Sequence, residues 1–280
     1  MRLSDTVIPA SEDNPVGYFE DARVAVLHDQ LMREWKRSPY TPRASDLLEG
    51  PAPAHLRSSL ASLVVTEVAV GASTWGVKDP RICLTWPIWQ RVFAEAAVIA
   101  HPVICVRDPR AVVRSLVKAY GMSRSHAEGL YLFRTLHALE DVTEDRYFVQ
   151  YEQWHDRRAA SSQLEGLVSF CGIADVAVDL EAVLDANVRP DLNRSSGTDA
   201  DEMSAILLEL HELLRCFRGE DYDDEAIVDW CAQTRTRLND FAFVGHALED
   251  FRRKAAPSTA RRSARKARLV SRDLANRLRR

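Results

Sequence analysis

The 280-residue chain is 46% hydrophobic and carries a formal net charge of −4, enough apolar content for one sizeable core and a small helical appendage. It has no run of eighteen apolar residues to cross a bilayer, its opening MRLSDTVIPASEDNP lacks the apolar core of a secretory signal, and its five cysteines fall in no CxxC or Cys/His zinc spacing. A membrane-spanning chain, a disulfide-stapled secreted domain and a zinc site are thereby excluded, and reduced thiols in a cytoplasm are expected, with no metal.

Residues 1–17 read as loop, punctuated by Pro9, Pro15 and Gly17. YFEDARVAVLHDQLMREW (18–35) predicts a helix, with Val24, Leu27, Leu31 and Trp35 at i, i+3, i+7 and i+11. SPYTPR and EGPAPA predict loops, and HLRSSLASLVVTEVA (55–69) a second helix. The next pattern occurs twice. STWGVKDPRICLTWPIW predicts a strand at 74–77, then Lys78, Asp79-Pro80 and a helix to about Ala97. PVICVRDPRAVVRSLVKAY predicts a strand at 103–106, then Arg107, Asp108-Pro109 and a helix to about Tyr120. In each, Asp suits a helix cap and Pro the first helical turn. DRYFVQYEQW offers a third strand at 146–151, with helices on either side. Beyond Asp179 the pattern is helical, with a loop at NVRPDLNRSSGTD.

Strands separated by helical segments predict an α/β fold, a parallel sheet with helices on its faces. Ligands in such sheets bind beyond the carboxyl ends of the strands. Lys78, Arg107 and Tyr151 all stand at predicted strand ends, so two cations and a phenol are expected at one edge. Arg107 beside a helix N-terminus suits an anion, which the first-turn amides, the helix dipole and a bidentate guanidinium all favour. Ser115 lies eight residues further on, two turns into the same helix.

VRDPRAVVRS resembles the 3′-phosphate-binding segment of the PAPS-dependent sulfotransferases, in which a strand-end arginine and a serine eight residues later share that phosphate. Three more segments follow the same family in order. NPVGYFED is similar to the acidic segment after the first helix in a bacterial branch, WGVKDPR to the strand ending in a catalytic lysine, and YFVQYEQW to the strand whose tyrosine touches the adenine. Together they cover about residues 14–155.

The resemblance implies a P-loop-type parallel sheet flanked by helices, and transfer of a sulfuryl group from PAPS (3′-phosphoadenosine 5′-phosphosulfate) to a hydroxyl or amine. Catalysis would fall to Glu20 as base and Lys78 as stabiliser of the leaving phosphate oxygen, and nucleotide binding to Arg107, Ser115 and Tyr151. Asp79 is the rival base. The family's first strand and its RSGTS-like loop, which cradles the 5′-phosphosulfate, have no counterpart before NPVGYFED; the nearest string, RSSGTD at 194–199, does not follow an apolar strand. A sheet missing its first strand and loop is therefore expected. The alternative to the enzyme is a non-catalytic protein of that fold, a nucleotide-binding or interaction module. A small-molecule kinase is disfavoured, since GxxxxGK[ST] does not occur.

Domain organisation is read as a sulfotransferase-like domain over 1–251, mainly helical from 178, and a basic tail over 252–280. The tail holds twelve Lys/Arg against one acid, Asp273, a net +11 that leaves −15 for the rest. Its Ala267, Val270, Leu274 and Leu278 form a thin apolar stripe, suited to an anionic membrane surface or an acidic partner. Small-molecule, carbohydrate and lipid acceptors all remain open. The acidic body argues against sequence-specific nucleic-acid binding.

Overall fold

A run of four strand residues, Val103–Val106 (β1), pairs in parallel with Tyr147–Gln150 (β2), in the register Val103↔Tyr147 to Val106↔Gln150. This pair makes the chain α/β. In a computed structural model, residues 6–10, 14, 17–34, 51–69, 74–173, 179–189 and 203–238 are described, and most of them are helical. None of the described helices is long and apolar enough to cross a membrane. The chain divides into two compact units, one holding the described residues up to Val98 and the other those from Ile99.

The first unit contains α1 (Ala22–Glu34), α2 (Pro51–Ala69) and α3 (Ile82–Glu95), with α2 packed on both α1 and α3. Its buried stripes follow helical spacing: Leu56, Leu60, Leu63 and Val64 on α2, and Ile88, Trp89 and Val92 on α3. On α1 the buried positions are Ala22, Val24, Ala25, His28 and Leu31, so a histidine takes a place in the stripe and Leu27 stands at its margin. Trp35 and SPYTPR lie outside the described residues. The loop expected at EGPAPA is shorter than its prolines suggest, because α2 begins at Pro51; prolines in a first turn forfeit amides that have no intrahelical partner anyway. The strand expected at 74–77 does not form a ladder, and only Trp75 sits in a single bridge. Lys78 therefore follows an extended segment rather than a strand of the β1–β2 sheet.

In the second unit, chain order is β1, α4 (Pro109–Tyr120), α5 (Arg124–Asp141), β2, a 3-10 turn (Tyr151–His155), α6 (Arg157–Phe170), α7 (Leu180–Asn187), α8 (Ala205–Leu214) and α9 (Asp224–Arg237). Asp108 caps α4 with Pro109 in its first turn, as the sequence suggests. Phe148, fully buried on β2, anchors a core with Leu132 and Leu136 of α5, Leu207 and Leu210 of α8 and Ile227 of α9. Beyond Asp179 the chain is not wholly helical: Gly219 bridges Phe148 in antiparallel fashion, and Arg218 bridges Asp221. Most of the loop expected at 187–199, including RSSGTD, lies outside the described residues.

Two glutamines finish the sheet at the end of β2, where no further strand continues it among the described residues. Gln163 of α6 donates to Gln150 O (3.2 Å) and accepts from Gln150 N (2.7 Å) through its side chain. Gln150 Nε2 in turn donates to Leu214 O and Phe217 O, both at 2.8 Å. Buried backbone groups must be paired, and here side chains replace a neighbouring strand at the end of β2. The residue held at that end leads directly into Tyr151.

Candidate functional site

Three short segments share one local device. In Glu20-Asp21-Ala22-Arg23, Lys78-Asp79-Pro80-Arg81 and Arg107-Asp108-Pro109-Arg110, the Asp carboxylate accepts from the amide of the Arg two residues on, at 2.8 Å in every case. The same carboxylate also grips that Arg's guanidinium, with Nε at 3.1, 2.8 and 3.0 Å respectively. Each clamp fixes the backbone just after a charged residue, and those three residues are Glu20, Lys78 and Arg107.

In the first unit two of the clamps meet. Lys78 Nζ donates to Glu20 Oε1 at 2.9 Å and to Tyr18 O at 3.2 Å. Glu20 is 5% exposed, while the lysine side chain keeps 59% of its surface, so the pair presents its cation outward. The segment carrying Glu20 is pinned by Ile8 N donating to Glu20 O and Ala22 N to Thr6 O, both 2.8 Å. Phe19, between Tyr18 and Glu20, sits at φ +52°, a left-handed conformation unusual for a bulky residue and sustained by those anchors.

Asp79 has a different environment. Burial, the largest influence, pushes its carboxyl up, but hydrogen bonds from Arg81 and His28 and the charge of Arg81 outweigh this and hold it far below the usual carboxylate range. A group so acidic is a poor proton acceptor near neutral pH, which weighs against Asp79 as the base. Arg81 also pairs with Asp29 of α1. His28 Nδ1 lies 3.2 Å from Asp79 Oδ1, and its Nε2 accepts from Trp89 Nε1 at 3.2 Å and lies 3.1 Å from Thr85 Oγ1. An indole N–H only donates, so the ring proton belongs on Nδ1, facing Asp79. Thr85, His28 and Asp79 line up as a nucleophile–base–acid triad would, but Thr85 and His28 are 0% exposed and no substrate reaches them. They form an internal latch between α1, α3 and the Lys78 turn.

In the second unit the β1–β2 register continues past the strands as side-chain contacts. The Arg107 guanidinium carbon lies 3.9 Å from the Tyr151 ring centroid, a close cation–π stack, and His155 meets the ring edge-on at 5.3 Å. Asp108 N donates to Glu152 Oε1 at 3.0 Å, and Tyr131 OH to Arg107 O at 3.0 Å. The first turn of α4 is therefore fully used: Glu152 takes the Asp108 amide, Pro109 has none, Asp108 takes that of Arg110, and Ala111 N donates to Asp108 O. The place expected for an anion at these amides is taken by the carboxylate of Glu152. Asp108 titrates below its ordinary value; partial burial, the largest influence, opposes the shift, and the hydrogen bonds from Arg110 outweigh it.

Ser115 is exposed on α4, six residues past Pro109 and thus about 9 Å along the axis. Of the sequence-derived residues, the structure brings Glu20 to Lys78 and Arg107 to Tyr151, and Ser115 takes part in neither contact. His28, Tyr131 and Glu152 escaped sequence reasoning. His28 falls in the apolar stripe of α1, Glu152 adjoins Tyr151, and Tyr131 carries no local signal. One His/carboxylate cluster, His137, Glu140 and Asp141, has its groups engaged already, His137 Nδ1 with Asp141 at 2.9 Å and Glu140 with Arg235 at 2.9 and 3.0 Å.

Compared with known proteins, the chain matches no family model, no curated protein and no solved structure.

Proposed function

We propose that this chain is a sulfotransferase-like protein that moves a sulfuryl group from PAPS to a hydroxyl or amine acceptor. The observation that carries the reading is the Lys78–Glu20 pair: two residues 58 positions apart, to which the family resemblance assigns the catalytic roles, stand 2.9 Å apart. The proposal includes a P-loop-type sheet, a cytoplasmic setting and no resident metal.

In this reading the acceptor oxygen or nitrogen attacks sulfur in line while the bond from sulfur to the phosphate oxygen breaks. Glu20 takes the acceptor proton, Lys78 stabilises the charge that collects on the departing oxygen, and the products are a sulfated acceptor and adenosine 3′,5′-bisphosphate. Arg107 holds the 3′-phosphate, Tyr151 offers its remaining ring face to the adenine, and Ser115 contributes a hydroxyl where the ligand runs along α4. Small-molecule, carbohydrate or lipid acceptors fit this chemistry equally.

The test is formation of adenosine 3′,5′-bisphosphate from PAPS across a panel of phenol, sugar and lipid acceptors. Turnover abolished by Lys78→Ala supports the enzyme. Tight bisphosphate binding without turnover on any acceptor would favour the second reading, a nucleotide-binding module, because Lys78 and Glu20 would then serve only each other.

A further inference from the structure

One peptide group in the second unit is held from both sides by side chains distant in sequence. The carbonyl of Arg107 accepts from Tyr131 OH at 3.0 Å, and the adjoining amide of Asp108 donates to Glu152 Oε1 at 3.0 Å. Carbonyl and amide belong to the same planar unit, so Tyr131 from α5 and Glu152 from the 3-10 turn together fix its orientation. That plane sets the backbone direction from which the Arg107 side chain leaves, and the Tyr151 ring 3.9 Å beneath the guanidinium sets where it ends.

Two features suit the clamp to this task. The Tyr131 phenol is pushed well above its ordinary range, first by burial and then by the charges of Asp108 and Glu152, so it stays protonated and remains a donor. Glu152 follows Tyr151 directly, so the stack and the amide contact move as one piece.

Building on the nucleotide reading above, we infer that Tyr131 and Glu152 are positioning residues for phosphate recognition: by clamping the Arg107–Asp108 peptide they preorganise the Arg107 guanidinium for a 3′-phosphate. Neither residue needs to touch the ligand. Their effect is to remove freedom that binding would otherwise have to freeze out.

The experiment is calorimetric titration with adenosine 3′,5′-bisphosphate and with adenosine 5′-monophosphate, whose ratio of dissociation constants reads the 3′-phosphate alone. Wild type, Tyr131→Phe, Glu152→Gln, Arg107→Ala and the doubles with Arg107→Ala are compared. Tyr131→Phe deletes one hydroxyl and Glu152→Gln keeps an acceptor oxygen, so the fold is spared, and thermal melts check this. The expected result is a wild-type preference for the bisphosphate that falls about three- to tenfold in each single variant, the range of one lost hydrogen bond. In the Arg107→Ala background neither change should lower the preference further, because nothing is left to position.

A wild-type preference that survives both substitutions would overturn the positioning role and leave the nucleotide reading standing. Equal losses with and without Arg107 would also overturn it, since a merely structural role acts regardless of the arginine. A folded wild type with no preference at all would overturn the nucleotide reading itself, a pattern distinct from either.

Discussion

The Arg107 guanidinium carbon stands 3.9 Å above the Tyr151 ring centroid, and the two residues directly follow the paired positions Val106 and Gln150 of a parallel ladder. Parallel pairing thus delivers two side chains to the same sheet end and lets one lie on the other. The ring desolvates the guanidinium face it lies against. The ring that the family resemblance assigns to adenine consequently spends one face on the arginine.

Replacing Arg107 by Ala should cost about 1.5–3 kcal/mol of bisphosphate affinity, the scale of hydrogen bonds to a charged group. Arg107→Lys keeps the charge but loses the planar stack and the bidentate fork, so it should recover less than half of that loss. Calorimetry on the three proteins decides this. An affinity unchanged in Arg107→Ala would remove the residue from the site.

The Lys78–Glu20 pair predicts a separation between stability and chemistry. With 59% of the lysine side chain in solvent, Lys78→Ala should change unfolding free energy by no more than about 1 kcal/mol. Glu20→Gln should lower sulfuryl transfer about 10²–10⁴-fold, as loss of a general base does, while leaving the melting temperature near that of wild type. A large stability loss without a rate effect would mark the pair as architecture.

What the sequence made legible was local. The second Asp-Pro-Arg repeat located the start of α4, where Asp108 caps and Pro109 opens the helix; at the first, α3 begins only at Ile82, with Arg81 rather than Asp79 at the cap position and Pro80 outside the helix. VICV and YFVQ were readable as strands that do pair. The run at 74–77 looks similar, yet whether an extended segment finds a ladder partner depends on remote residues. Gln150 and Gln163 make the same point: nothing in either residue's neighbourhood says that their side chains close the sheet. For the candidate site, Lys78 and Arg107 could be picked out by type and position, and Glu20 only through the family resemblance. The groups that hold them, His28, Tyr131 and Glu152, could not, since their partners lie 24 to 61 residues away.

Packing around β2 yields a third prediction. A β-carbon added to Gly166 of α6 would lie 2.3 Å from the Tyr147 hydroxyl, which itself donates to Gln163 O at 3.1 Å. Gly166→Ala should therefore cost about 1–3 kcal/mol of overpacking despite the better helix propensity of alanine. Adding Tyr147→Phe, which removes the obstructing oxygen, should return part of that loss. Denaturant melts of the two singles and the double measure it, and additive losses would show that the ring rather than the oxygen is the obstacle.

Acid should reveal the latch around Asp79. Its carboxyl titrates far below the usual range in the folded chain, where Arg81 and His28 outweigh the opposing effect of burial, against about 3.9 when unfolded. The unfolded state therefore binds the proton first as pH falls. The stabilisation from this group is complete above about pH 4 and drains away below it, towards the lower folded value. Asp79→Asn should cost about 3–5 kcal/mol at neutral pH, the range for breaking a buried charged pair, and the gap from wild type should narrow steadily below about pH 4. Unfolding free energies at neutral pH and at two acid points test this. A gap that stays constant into acid would mean that Asp79 is not the ionised partner of Arg81 and His28, and that the Lys78 turn is held by shape alone.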